Sequence, residues 1–215
     1  MSQKKPKASS AGWFTVEELN SEIEERIRTD PEYRARVEAH EREHQEAIRR
    51  FSEAERPIVE DLREAGFDVS SIQDLLDVRD TEPYPDALPI LIRHLELGGY
   101  PGDVMEALGS AVAIPQAVDH WQVLERLYRS AESKGMRDGL ARALAACATR
   151  GQFDQLVALV GDGSRGNSRL FLLRPIKRLG RERGLEILRS LVDDPELGNE
   201  ARALVGRRTS RGSGS

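Results

Sequence analysis

The stretch "AHEREHQEA" places His40 and His44 four residues apart with Glu41 between them. That is the H-E-x-x-H spacing of zinc hydrolases. On a helix, residues four apart share a face, so two imidazoles could chelate one ion while Glu41 served as general base. A third protein ligand is needed. Glu60, Asp61 and Glu64 lie about 20 residues further along what reads as the same helix, roughly 30 Å away at 1.5 Å per residue. Nothing positions His94 or His120 beside the pair. The flanks "VEAHEREHQEAIRR" read as a solvated helix face, with His44 near its packing seam, rather than a shielded metal cleft. We therefore reject His40, Glu41 and His44 as a metal site and expect no cofactor.

A second group of residues offers recognition chemistry. "SRLFLLRPIKRLGRERGLEILR" carries Arg169, Arg174, Lys177, Arg178, Arg181, Arg183 and Arg189. With Leu172, Leu173, Ile176 and Leu179 turned inward, Arg174, Lys177, Arg178 and Arg181 should face solvent. Arg137 and Arg142 join them if the helices that carry them line the same face. Such a surface can bind an acidic protein, or it can track phosphates. Base stacking needs aromatic rings, and Phe171 is the one ring within the basic segment; Trp121 reads as core.

Other candidates read as structure. "VGDGSRGNSR" lacks the Gly-Lys-Ser/Thr ending of a phosphate loop and reads as a flexible turn between helices. Cys147, the single cysteine, sits in "ARALAACA" and reads as a buried, small apolar side chain. The four histidines stand in unrelated contexts, and no Ser-His-Asp set can be assembled from spacing.

The elements that must carry these residues are helical. Ala, Leu, Glu and Arg dominate, aromatics are 5% and charged residues 32%, and β-branched runs are absent. "TVEE" reads as a capping box from Thr15, and "DPE" starts a long helix with Asp30 as cap and Pro31 at the first position. Its seam runs Val37, Glu41, His44, Ile48, Phe51, Glu55, Ile58, Leu62, Ala65, in steps of four and three. Pro57 should kink or split it, and Gly66 should end it. A short helix is expected from Ser70.

From Tyr84 the texture changes to short helices broken by Gly, Pro and Asp. They fall into four pairs, whose second helices end alike at Ala107-Leu108, Ala143-Leu144, Pro175-Ile176 and Ala203-Leu204. The spacings are 36, 32 and 28 residues. One helical hairpin cannot bury its own apolar face, whereas stacked hairpins bury a continuous core. The small residues Ala107, Ala111, Ala143 and Ala145 should allow close helix approach.

"ALPILIRHLELGGYPGDVMEALGSAVA" and "LEILRSLVDDPELGNEARALV" resemble HEAT repeats in their Asp-rich turn and "EARALV" second helix. The resemblance spans about residues 84–206. Pro175 departs from it, standing where the pattern has Ala. It implies a scaffold or binding surface. DNA glycosylases also occur on HEAT-like repeats, but they need aromatics and a catalytic carboxylate on the concave face.

The expectation is thus an all-α protein: a disordered leader (1–12), an N-terminal helical region with one long helix (13–80), a short HEAT-like α-solenoid of about four helix pairs (84–206) and a flexible tail (207–215). We expect no enzyme but a protein-binding adaptor, scaffold, or inhibitor or immunity-type module that works through its curved face. The alternative is nucleic-acid binding through the basic residues, with a zinc hydrolase as the least supported reading. Lysines without a following apolar stretch at the start, and no run of roughly 18 apolar residues, point to a cytoplasmic protein without a membrane span. The Arg- and Ala-rich, lysine-poor texture suggests a bacterial source. Residues 13–86 carry 10 basic against 22 acidic side chains, net −12, while residues 150–215 carry 13 against 8, net +5. Such polarity, together with the long helix, allows self-association.

Overall fold

The computed structural model describes residues 15–78, 81 and 83–206; the leader, Trp13 and the tail lie outside them. Among the described residues the protein is all-α, with ten α-helices and no strand. The chain divides into two compact units between Arg50 and Phe51. The second unit therefore begins well before the change of texture at Tyr84.

In the first unit, α1 (Val16–Thr29) is closed by the expected capping box. The Thr15 hydroxyl accepts from the Glu18 amide at 3.2 Å, and the Thr15 amide donates to the Glu18 carboxylate at 2.9 Å. Asp30 accepts from the Glu32 and Tyr33 amides, both at 3.0 Å, and so starts α2 (Pro31–Glu64). Arg34 ties the turn by donating to the carbonyls of Ile27 and Arg28 at 2.8 Å each. No residue of α1 is buried.

Helix α2 runs across the boundary. Of the kink or split expected at Pro57, the split does not occur: the helix is continuous through it. A proline inside a helix costs about 3 kcal/mol, but Ile58, Val59 and Leu62 follow it directly into the core, at roughly 1.5–3 kcal/mol each. Glu55, an apparent flaw in the apolar seam, has a positive role: its buried carboxylate accepts from the Ile72 amide at 2.9 Å and caps α3 (Ile72–Val78). Burial pushes its pKa up. Gly66 ends α2 at φ 95°, a conformation other residues adopt only with strain.

The four sequence pairs follow as α4 (Leu88–Leu97) with α5 (Gly102–Ala111), α6 (Trp121–Ser130) with α7 (Lys134–Cys147), α8 (Phe153–Gly161) with the first part of α9 (Leu170–Ser190), and the second part of α9 with α10 (Gly198–Gly206). Helix α9 breaks at Arg181 (φ 51°, ψ −124°), the junction between the third and fourth pairs. Helix α5 packs on α7, α7 on α9, and α10 on α9, while α4, α6 and α8 pack against α5, α7 and α9; α3 packs on α5. One apolar cluster runs from Ile58 through Leu91, Leu108, Leu124, Leu144 and Leu173 to Leu204. Cys147 and Trp121 belong to it, and burial pushes the Cys147 thiol up to about 12. None of the described helices is long and apolar enough to cross a membrane.

Three aspartates fasten turns of this unit and carry a pH dependence. Asp194 accepts from the Leu197 and Glu196 amides, at 2.8 Å each. Asp162 holds the Ser164 hydroxyl and amide, and Asp74 holds the amides and hydroxyls of Ser70 and Ser71. These bonds favour the charged carboxylates and hold all three below their ordinary value of 3.8. A depressed acid contributes stability above its unfolded pKa and loses it as pH falls through the folded one. These three aspartates should therefore leave the urea midpoint unchanged down to about pH 5 and lower it below about pH 4, while Glu55, raised by burial, contributes in the opposite sense as pH falls. Asp194→Asn should shrink that acid-side drop; an unchanged acid limb would refute the assignment.

Candidate binding groove

The second helices of successive pairs meet along one side, and there an open groove of about 610 Å³ runs over α7 and α9 and the segment that follows α5. Its floor is small and apolar: Ala113 and Pro115 beyond α5, Ala145 and Ala146 on α7, Pro175 on α9. Phe171 stands within it, and Arg142, Arg174 and Arg178 line it.

Each guanidinium is placed by a different device. Arg142 donates to the Glu106 carboxylate at 2.7 Å and to the Ser110 hydroxyl at 3.1 Å, and lies 4.6 Å over the Phe171 ring, within cation–π range. Arg174 points outward, its side chain 74% exposed, with Glu200 of α10 at 3.6 Å. Arg178 reaches the Ala145 and Ala148 carbonyls at 3.4 Å each, at the negative end of α7. Arg174 and Arg178 are four apart and so share one face of α9.

Of the six basic residues picked out from sequence, these three come together. The other three do not line the groove. Lys177 donates to the Leu204 carbonyl and caps α10. Arg137 donates to the Glu132 carbonyl at 2.7 Å and secures the α6–α7 turn. Arg181 is exposed at the break in α9. Arg169, from the same basic segment, is buried: it donates to the Val160 and Gly166 carbonyls at 3.0 Å and to Glu196 at 2.6 Å. The Gly-rich stretch before it is a fastened 3₁₀ turn, held also by Arg165, which donates to the Arg129 carbonyl at 2.8 Å.

His40, Glu41 and His44 are all exposed on α2, so His44 does not approach a packed seam. Among the described residues no three His, Cys, Asp or Glu side chains are grouped to hold a metal ion. The sequence reading missed a different histidine. Buried His94 on α4 bonds Asp61 of α2 through Nε2 and the Tyr100 hydroxyl through Nδ1, both at 2.7 Å. Arg93 pairs with the same Asp61 oxygen at 2.5 Å, and the cluster clasps α2 to α4. Burial also raises the Tyr100 phenol.

Guanidinium forks above an apolar floor suit recognition of carboxylates or phosphates. Glu106 and Glu200, paired with Arg142 and Arg174, set negative charge beside the groove. No protein-family model, curated protein or solved structure matches the chain.

Proposed function

We propose that this protein is a HEAT-like helical-repeat interaction module that binds a helical, mixed-charge segment of a protein partner in the groove over α7 and α9. The observation that carries this reading is the convergence of Arg142, Arg174 and Arg178 over a floor of Ala and Pro. Small floor residues let a helix settle close to the surface, and the arginines then meet its carboxylates. The resemblance of residues 84–206 to HEAT repeats, and the side-by-side packing of the second helices, support a solenoid that offers this face to a macromolecule.

A nucleic acid is the weaker fit. Glu106 and Glu200 stand beside Arg142 and Arg174 and repel a uniformly anionic backbone, whereas a protein segment can answer them with its own basic side chains. Phe171, the one aromatic ring lining the groove, is already covered by Arg142.

Reversal of two exposed charges tests the reading. Tagged wild-type protein should retain a polypeptide from an extract of its source cells, and the Arg174→Glu/Arg178→Glu variant should retain at least about tenfold less, given 1.4 kcal/mol per decade and two lost charge pairs. Circular dichroism should show the variant folded. Capture that both proteins perform equally, or that nuclease abolishes, contradicts a protein-binding groove.

A further inference from the structure

We propose that the groove's occupant is α1 of a second copy of this chain, so that the protein associates with itself head to tail; this rests on the groove being a protein-binding site. Helix α1 is amphipathic but has no fully buried residue; Ile27, at the end of its apolar side, is half-buried. Val16, Leu19 and Ile23 recur at i, i+3 and i+7 and are 74%, 44% and 42% exposed. An apolar stripe that stays open to water on an otherwise charged helix marks a contact surface.

Charge decides what covers it. At 100° per residue, Glu17 and Glu24 flank the stripe on one side and Glu22 on the other. Pairing two α1 stripes in parallel would set Glu22 of one copy beside Glu17 and Glu24 of the other. The groove instead offers Arg142, Arg174 and Arg178 beside an apolar floor. Signs match in the other sense as well, since Arg26 and Arg28 close α1 while Glu106 and Glu200 stand beside the groove.

Dimensions agree. Fourteen residues of helix span about 21 Å. The groove runs from the segment after α5 across α7 to α9, and adjacent helix axes lie about 8–10 Å apart. The contact is heterologous: one copy's arm meets another's groove, which closes into a dimer or ring, or extends as a chain.

The test is sedimentation velocity on the full chain. Its mass should rise above the 24.0 kDa monomer with concentration and fall back in high salt, where the charge pairs are screened. Arg174→Glu/Arg178→Glu and Glu22→Arg/Glu24→Arg should each weaken association at least about tenfold. An equimolar mixture of the two variants should restore it, because every arm then finds a groove of opposite sign. Restoration also shows that both variants are folded. A wild-type chain that stays monomeric, an assembly that neither variant weakens, or a mixture that fails to assemble overturns the inference. If the wild type is monomeric yet its capture of another polypeptide still requires Arg174 and Arg178, the groove's function stands and only its occupant changes. If the charge reversals affect neither self-association nor capture, both fail.

Discussion

Gly109→Ala is expected to lower the free energy of unfolding by about 3 kcal/mol, near the upper end of overpacking costs. Helix propensity alone predicts the opposite sign, a gain of about 1 kcal/mol for replacing glycine in a helix. Sterics win because α5 and α7 cross backbone to backbone. A Cβ on Gly109 would lie 2.5 Å from the Gly139 carbonyl carbon, 2.6 Å from its Cα and 2.8 Å from the Leu140 nitrogen. A Cβ on Gly139 would lie 2.8 Å from the Glu106 carbonyl oxygen. Backbone atoms cannot swing aside as the end of a side chain can, so the helices must separate, and α7 also packs on α9. The measurement is a urea midpoint with unchanged slope. Gly161→Ala is the control: nothing lies within 4 Å of its added Cβ, so it should be neutral or slightly stabilising. Equal effects from the two substitutions would contradict the close crossing. Because this crossing sets the spacing of α5 and α7, Gly109→Ala should weaken groove binding as well.

Arg169→Ala should cost about 3 kcal/mol. Arg169 is 5% exposed and gathers three segments: the end of α8 through the Val160 carbonyl, the 3₁₀ turn through the Gly166 carbonyl, and the turn before α10 through Glu196 and Asp194. Truncation leaves buried carbonyls without donors and two neighbouring carboxylates without their cation. Glu196 and Asp194 are partly exposed, and water relieves part of that loss, which keeps the figure at the lower end of the roughly 3–5 kcal/mol range for a fully buried pair. For a chain of this length the melting temperature should fall by about 6–12 °C. Arg169→Lys should recover only part of it, since an ammonium cannot span three acceptors held by a planar fork. A melt within about 2 °C of wild type for Arg169→Ala would refute the clasp.

Local chemistry was readable from sequence wherever the partner lay within a few residues. Thr15 with Glu18, Asp30 before Pro31, and Gly66 after α2 each act over one helical turn, and all three form as expected. The helix pairs were readable because a buried face must recur with the helical period. Contacts between distant residues were not. Glu55 looked like a defect because the amide it caps is 17 residues away, and His94 looked isolated because Asp61 is 33 residues away. Gly135 and Gly139 show the four-residue spacing of close helix approach, but the meaning of that spacing depends on Gly109 opposite. Alanine, rather than glycine, had suggested the close contacts.

The groove was half legible for the same reason. Arginines on one face of a helix announce a basic surface, yet Lys177, Arg137 and Arg169 are spent on carbonyls of other segments. A residue type shows what a side chain can bond, and tertiary structure decides which acceptor comes within reach. Arg142, Arg174 and Arg178 remain at the groove because α7 and α9 lie side by side there.

The most direct test of binding at this face is a photo-crosslinker placed at Ala146, on the groove floor, in protein incubated with an extract of its source cells. Recognition in the groove predicts a discrete polypeptide adduct that disappears in the Arg174→Glu/Arg178→Glu background and is absent when the crosslinker is placed at exposed Glu132. No adduct at Ala146, or one that is indifferent to charge reversal, would contradict it.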